Sequence, residues 1–324
     1  MINLRARSGS RALEQQVKSF LPDARVAMTR TLEEARAFVA ELRSSPDKPS
    51  LIVSGGGDGT AVSLLNEWGE DVPTLGLLPL GTGNGWARAT GSPRFRPAMR
   101  KLAAHHHLKS WPSRSFALVE VEGLLSPWAG TGWDAEILAD YQSLTRAMPH
   151  QVAHTVGGFP LYMASLFGKT IPRMVMRTRT QVRLTNLGAP ALAIDEDGAP
   201  TPVVDGEAGA VLYEGPISVC GCSTTRDLGL GFRAFPFAHA RQGRMATRIY
   251  SESTLRATRQ VRKLWRGHHP LPNDAHWLLD ACRMEFDRPV SFEIGGDVVG
   301  TRTSVEFRLA TRRAPLLDWT RLAA

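Results

Sequence analysis

The feature that most constrains this chain is a pair of glycine-rich turns, each set between a short apolar run and a helical pattern. The first is Ser54-Gly55-Gly56-Gly57-Asp58-Gly59-Thr60, entered from the run Ser50–Ser54 and left through a helix with Leu64, Leu65 and Trp68. The second is Pro79-Leu80-Gly81-Thr82-Gly83-Asn84, which follows the run Thr74–Pro79 and leads into a helix at Trp86. Short unbroken apolar runs between helices are strands buried on both faces, which means a parallel sheet. In such a sheet both turns lie at the carboxyl edge of the strands, where ligands bind. Glycine lets backbone N–H groups come close to a phosphate, and the helix that follows adds its positive end. Neither turn is a Walker A loop, because no Lys follows in a G-K-[ST] arrangement, and neither reads G-x-G-x-x-G. A single such loop could be a plain turn; two of them suit one nucleotide held between neighbouring strands.

The flanking pattern agrees. Ile2–Leu4 reads as a strand, Arg11–Phe20 as a helix with Leu13, Val17 and Phe20 on one face, and Asp23–Met28 as a strand. Thr31 with Glu34 forms a capping box for a helix through Ala35, Phe38, Val39 and Leu42. Beyond about residue 108 the rhythm changes to two-residue alternation, at Phe116–Glu122, Gln181–Leu187 and Ser291–Ile294. Val219–Ser223, Thr247–Tyr250 and Val305–Leu309 also read as strands, with helices near 134–147, 157–169 and 252–266. The stretch 188–210 reads as a long hairpin loop. At 324 residues the chain exceeds what one core usually supports. The expectation is an α/β domain over 1–107 and a β-rich domain of sandwich type over 108–324, whose last residues have the option of returning to the first.

Charge narrows the partner. The chain has 39 basic and 31 acidic residues and a formal charge of +8, which favours a phosphate-bearing ligand, nucleic acid or a membrane surface. Nucleic acid is set aside, because no binding motif with interleaved aromatics is present. Arg256, Arg259, Arg262, Lys263 and Arg266 fall on one helical stretch with Leu255, Val261, Leu264 and Trp265. That composition suits docking on an anionic leaflet, with a solvated face and a buried Trp265 as the plainer alternative. Cys220, Cys222 and Cys282 are too few for a disulfide framework, and the C-x-C pair lacks further ligands for a metal. No apolar run reaches the ~20 residues of a membrane span, and the first residues lack a secretory core. A cytoplasmic protein, peripheral on the inner face of the membrane, is expected. Gly157–Phe167 reads as a lipid-chain lining or a core helix, and His105-His106-His107 as a connector.

The two turns together resemble the catalytic domain of diacylglycerol, sphingosine and ceramide kinases, and the bacterial diacylglycerol-kinase-like lipid kinases in particular. Asn3 with Ser8-Gly9 is similar to the family's N-P-x-S-G opening, with Leu4 in place of Pro. Glu34-Ala35, Gly132-Trp133-Asp134-Ala135 and Gly229–Pro236 resemble further family segments. The resemblance implies ATP held by Asn3, Gly56, Gly57, Asp58, Gly59, Thr60, Gly81, Thr82, Gly83 and Asn84. It implies Mg²⁺ reached by Asp58 through water, support from Glu34 and Asp134, and a lipid substrate at a membrane surface. It leaves the oligomeric state open.

The sequence also departs from that pattern. The family's C-terminal Asp-Gly-Glu becomes Gly295-Gly296-Asp297, so Asp297 is the expected base, one methylene short, and the supporting Asp is lost. Asp205-Gly206-Glu207 spells the tripeptide but reads as a hairpin turn. Asn84 is followed by Gly85 rather than Asp, and Arg241 and Gln242 stand where relatives have carboxylates, which argues against a structural metal there. Three readings stay open: an ATP-dependent lipid kinase acting on a diacylglycerol-like or sphingoid hydroxyl, a catalytically impaired nucleotide- or lipid-binding homologue, and an NAD-kinase-like enzyme with a soluble substrate.

Overall fold

A computed structural model describes residues 1–147 and 159–322. The chain forms two compact units, Met1–Ala117 with Arg312–Ala324, and Leu118–Thr311. The first unit runs β1 (Ile2–Asn3), α1 (Ala12–Phe20), β2 (Met28–Thr29), α2 (Leu32–Ser44), β3 (Leu51–Gly56), α3 (Asp58–Trp68), β4 (Thr74–Pro79), α4 (Gly85–Ala89), α5 (Phe95–Ala104) and β5 (Ser113–Phe116). β1 pairs in parallel with β2 and β3, and β3 with β4. The strand expected over Asp23–Met28 shrinks to Met28–Thr29, because its only ladder partner, β1, is itself two residues long. At the start of α2 the Thr31 hydroxyl accepts the Glu34 N–H at 3.2 Å, and the Glu34 carboxylate accepts the Arg30 N–H at 2.5 Å. Glu34 thus serves the helix entry.

The second unit continues with β6 (Val119–Val121), β7 (Leu124–Ser126), β8 (Trp128–Gly132), α6 (Trp133–Ala147), α7 (Phe159–Ser165), a π-helical turn (Leu166–Thr170) and α8 (Ile171–Met176). β9 (Gln181–Asn186), β10 (Leu192–Ile194), β11 (Pro200–Pro202), β12 (Val211–Pro216), β13 (Val219–Ser223) and β14 (Met245–Tyr250) follow. α9 (Thr254–Trp265), β15 (Asp274–Leu279), β16 (Ala281–Ile294) and β17 (Asp297–Leu309) complete it. These strands form one antiparallel sheet that branches at the long strand β16, which pairs with β9 at one end and β8 at the other. The branches share a core that includes Val182, Leu184, Cys222, Met245, Met284, Phe292 and Phe307. Cys222 and Cys282, on strands that are not neighbours, meet there with sulfurs 3.6 Å apart, as in a sheet folded over its own apolar face. The stretch 188–210 is not a loop throughout: β10 pairs with β11 and β15, because Leu192 and Ile194 pack on Phe235 and Leu278.

A buried polar knot joins β14 to β15. The Arg248 guanidinium donates to both Asp274 oxygens at 2.7 Å, and His276 Nε2 lies 3.2 Å from the same carboxylate. Burial alone would raise the Asp274 pKa, but Arg248 and His276 outweigh it and hold Asp274 at about 2.

The chain then returns to the first unit. β18 (Ala314–Leu317) inserts between β4 and β5, giving the order β2-β1-β3-β4-β18-β5. It runs parallel to β4 and antiparallel to β5. The division therefore falls after Ala117 rather than at 107, because Ser113–Phe116 pairs with this returning strand. No helix among the described residues is long and apolar enough to cross a membrane.

Candidate functional site

In the first unit three chain segments meet at the carboxyl edge of β3 and β4. Both glycine turns are there, and they touch. A Cβ on Gly81 would lie 2.4 Å from the Gly57 Cα, and one on Gly56 would lie 2.5 Å from the Thr60 hydroxyl, so neither position admits a side chain without moving the loop. The Leu80 and Gly81 N–H groups both donate to the Gly56 carbonyl at 3.0 Å. The second turn is closed by Asn84, whose Oδ1 accepts the Gly81 N–H at 2.9 Å while its Nδ2 donates to the Gly81 carbonyl at 2.7 Å. Thr82 and Gly83, inside that turn, are half-buried.

Asp58 ties the two turns together. It opens α3, yet its carboxylate accepts the N–H of Gly85 at 2.9 Å and of Trp86 at 2.8 Å, the first amides of α4. These are among the donors a helix start leaves unsatisfied, so a carboxylate there acts as a charged cap supplied from another helix. Asp58 is buried, and Trp86 below it is fully buried against Phe116. Sequence reasoning marked Gly85 as a departure from the family's Asp and Trp86 as a helix start, but not as partners of Asp58. Asn3 enters from β1: its Nδ2 donates to the Thr60 hydroxyl at 2.9 Å and its Oδ1 accepts the Arg5 N–H at 2.8 Å. The following turn reaches the second loop through Ser8 N–H to the Leu80 carbonyl at 2.9 Å. Asn3, Gly56, Gly57, Asp58, Gly59, Thr60, Gly81, Thr82, Gly83 and Asn84 are thus brought to one place, while Glu34 caps α2.

The fit of these residues to a nucleotide and metal follows from this geometry. Gly57, the cap of α3, has no side chain with which to satisfy the first-turn amides, and Gly57, Gly59, Gly81 and Gly83 are half-buried, while Gly55 and Gly56 are buried. Such a cradle suits phosphate oxygens. Among the described residues no three His, Cys, Asp or Glu side chains converge on a metal position. Asp58 already accepts two backbone protons, so it suits a water on a phosphate-bound Mg²⁺ better than direct ligation.

In the second unit β16 and β17 form a tight hairpin in which Ile294 pairs with Asp297. Gly295 and Gly296 make the turn with φ of 58° and 90°, a conformation that both central residues of a type I′ turn require. The Gly295 N–H donates to the Trp128 carbonyl at 3.0 Å, which fixes the turn on β8. Asp297 is the first residue of β17 and is solvent-reachable, yet the surrounding protein withdraws enough water to raise its carboxyl above the usual range. Asp134 is the second residue of α6, and its side chain lies outside the described residues. Residues 157–158 of the apolar stretch Gly157–Phe167 also lie outside them. Gly206 of the Asp205-Gly206-Glu207 turn accepts the Ala191 N–H at 2.9 Å and Asn186 Nδ2 at 2.8 Å, so that tripeptide builds a loop.

On α9, Arg256, Arg259, Arg262 and Lys263 are exposed, as is the capping Arg266. Trp265 is not on that surface: its ring stacks on Phe232 at 5.2 Å, because it lies on the flank of α9 that turns toward the Gly229–Pro236 segment.

The family model described as the diacylglycerol kinase catalytic domain matches residues 3–112. The lipid kinase YegS of Escherichia coli K12 is 38% identical over 78 residues, which cover 23% of this chain and 23% of that protein. The match thus spans about a quarter of the curated relative's length. A crystal structure of a diacylglycerol kinase from Bacillus anthracis str. Sterne has the same fold, with a TM-score of 0.62 at 15% identity, covering 99% of this chain and 96% of that one. A further Bacillus anthracis structure reaches a TM-score of 0.65 at 16% identity, with 99% and 97% covered. Residues 3–112, about a third of the chain, are therefore similar to the diacylglycerol kinase catalytic domain.

Proposed function

We propose that this protein is an ATP-dependent lipid kinase that moves the γ-phosphoryl group to a hydroxyl of a diacylglycerol-like or sphingoid lipid. The observation that supports it most is the Asp58 clamp, which holds the two glycine turns together. Phosphoryl transfer demands positioning and charge neutralisation more than covalent chemistry, and paired loops meet that demand. Asn3, Thr60 and the loop amides would hold the triphosphate. Mg²⁺, when bound, would supply charge neutralisation on the phosphates, and Asp58 would help hold it by accepting a hydrogen bond from an intervening water. Asp297 would take the proton of the lipid hydroxyl; its raised pKa moves it closer to the working pH that a base needs.

A second reading is favoured by one observation. Gly295 sits at φ 58° where the family's supporting Asp would stand, so the base lacks that partner and the chain could retain binding without turnover. Transfer of labelled γ-phosphate from ATP to a panel of lipids in mixed micelles separates the two. Labelled phosphatidate or a sphingoid phosphate supports the kinase. ATP binding without transfer to any lipid supports the impaired homologue, and transfer to NAD alone supports the soluble-substrate alternative.

A further inference from the structure

At the start of α6 the second unit holds an open cavity of about 480 Å³. Cavities of roughly 300–1,000 Å³ are the size that takes small ligands. Four buried residues form its floor: Thr131 in β8, Ile217 and Ser218 just before β13, and Val290 in β16. Arg177, Thr178 and Arg179, on the segment between α8 and β9, are exposed and form its rim.

The hydrogen bonds already made fix what each level can still offer. On the floor, Thr131 Oγ1 donates to the Ser291 carbonyl at 2.6 Å, and Ser218 Oγ donates to the Glu252 carbonyl at 2.5 Å. A hydroxyl has one proton, so both oxygens have only lone pairs left, and the floor accepts. The rim does the reverse, since a guanidinium has five N–H donors and no acceptor. Arg179 spends a donor on the Ser251 carbonyl and makes no ion pair among the described residues. Arg177 lies 3.5 Å from Glu136, a carboxylate that Arg173 holds at 2.8 Å. Glu136 and Asp140 together face Lys169, Arg173 and Arg177, so positive charge is in excess before Arg179 is added. Glu252, two residues before the Thr254 that also lines the cavity, is satisfied by the Ser253 N–H and Asn273 Nδ2 and faces Arg256.

Cationic donors above and spare lone pairs below describe a ligand with an anion at one end and hydroxyls at the other. We infer that this cavity binds a phosphorylated polyol, with its phosphate between Arg177 and Arg179 and its hydroxyls on Thr131 and Ser218. A free glycerol or sugar phosphate and the polyol headgroup of a phospholipid share that chemistry. The lining residues all lie between Thr131 and Val290, and none is among those assigned to nucleotide, so the inference does not rest on the kinase reading.

The test is isothermal titration calorimetry of the full chain, without nucleotide, against glycerol 3-phosphate, ethyl phosphate and glycerol. Glycerol 3-phosphate should bind, ethyl phosphate should bind roughly tenfold or more weaker for want of hydroxyls, and glycerol should give no heat. R177Q/R179Q should weaken glycerol 3-phosphate roughly tenfold or more and leave binding of a fluorescent ATP analogue unchanged. Gly81→Ala, in the glycine turns, should do the opposite. Circular dichroism verifies that each variant is folded. Absence of glycerol 3-phosphate binding overturns the inference. Equal affinity for ethyl phosphate overturns it too, because the rim would then hold an anion with no use for the floor. Loss in Gly81→Ala with retention in R177Q/R179Q would place the ligand in the glycine turns and overturn it as well. Labelled glycerol 3-phosphate is finally challenged with phosphatidylglycerol vesicles. Release supports the site with a lipid headgroup as its ligand, and retention supports it with a free phosphate.

Discussion

The Asp58 carboxylate accepts the backbone N–H of Trp86 at 2.8 Å, and through it one glycine turn is fastened to the other. The same carboxylate holds Gly85 at 2.9 Å. Asp58→Asn keeps the shape but turns an NH₂ toward a backbone donor. The expected result is a loss of about 1–2 kcal/mol in stability, typical of a broken helix cap. ATP affinity should fall with it, by ~10-fold, as a bond to a charged group is lost. Urea titration and equilibrium binding of a fluorescent ATP analogue measure the two. Unchanged binding would mean that the loops keep their geometry without the clamp.

Gly81→Ala places a methyl group 2.4 Å from the Gly57 Cα and 2.9 Å from the Gly57 N, backbone atoms that cannot swing aside. The two loops must part, and nucleotide binding should weaken by ~10-fold or more, since a shift of about 1 Å in a positioned site has effects of that size or larger. Far-UV circular dichroism should stay unchanged, because strands β3 and β4 pair upstream of the contact.

Asp297 gives a pH signature. A base must be ionised, and burial raises this carboxyl, so kcat/KM should fall as pH drops through a value above the ordinary carboxylate range. Asp297→Asn should reduce the rate by about 10²–10⁴-fold. The sign for stability is opposite: a raised acid pKa means the folded state disfavours the ionised form, so Asp297→Asn should be neutral or slightly stabilising at neutral pH. A variant that loses activity and stability together would mark Asp297 as structural.

Arg248 and Asp274 make a separable prediction. Both side chains are buried, and Asp274→Ala leaves a guanidinium without its partner, at a cost of about 3–5 kcal/mol. Asp274 titrates at about 2 in the fold, against roughly 3.9 unfolded. Its contribution, about 2 kcal/mol, is fully present above the unfolded value and is lost as pH falls from about 4 toward 2. Chemical denaturation at stepped pH reads both, and nucleotide binding by the first unit gives an independent readout.

The glycine turns, the capping box at Thr31 and the strands Thr74–Pro79 and Val219–Ser223 were legible because each is written in adjacent residues. Asp58 was legible as a residue that matters but not for what it holds, since its partners are backbone amides 27 and 28 positions away with no side-chain signature. Trp265 stayed between two readings for a similar reason. A tryptophan in a basic helix fits a membrane face or a core by composition, and only the fold brings Phe232 against its half-buried ring. The strands β10 and β11 were hidden by Gly, Pro and acid around them, and the pairing of β10 with β15 is a long-range fact.

The placement of β18 sets an order of events on the ribosome. β4, which leads into the second nucleotide loop, ends at Pro79, and the strand that lies beside it starts at Ala314. Until the second unit has been synthesised, β4 presents an open edge, the kind of surface that invites wrong pairings. The first unit cannot complete its sheet as an early, self-sufficient product of translation. Its maturation waits for the last strand, so the loops that would take up nucleotide are secured only when the rest of the protein is already in hand.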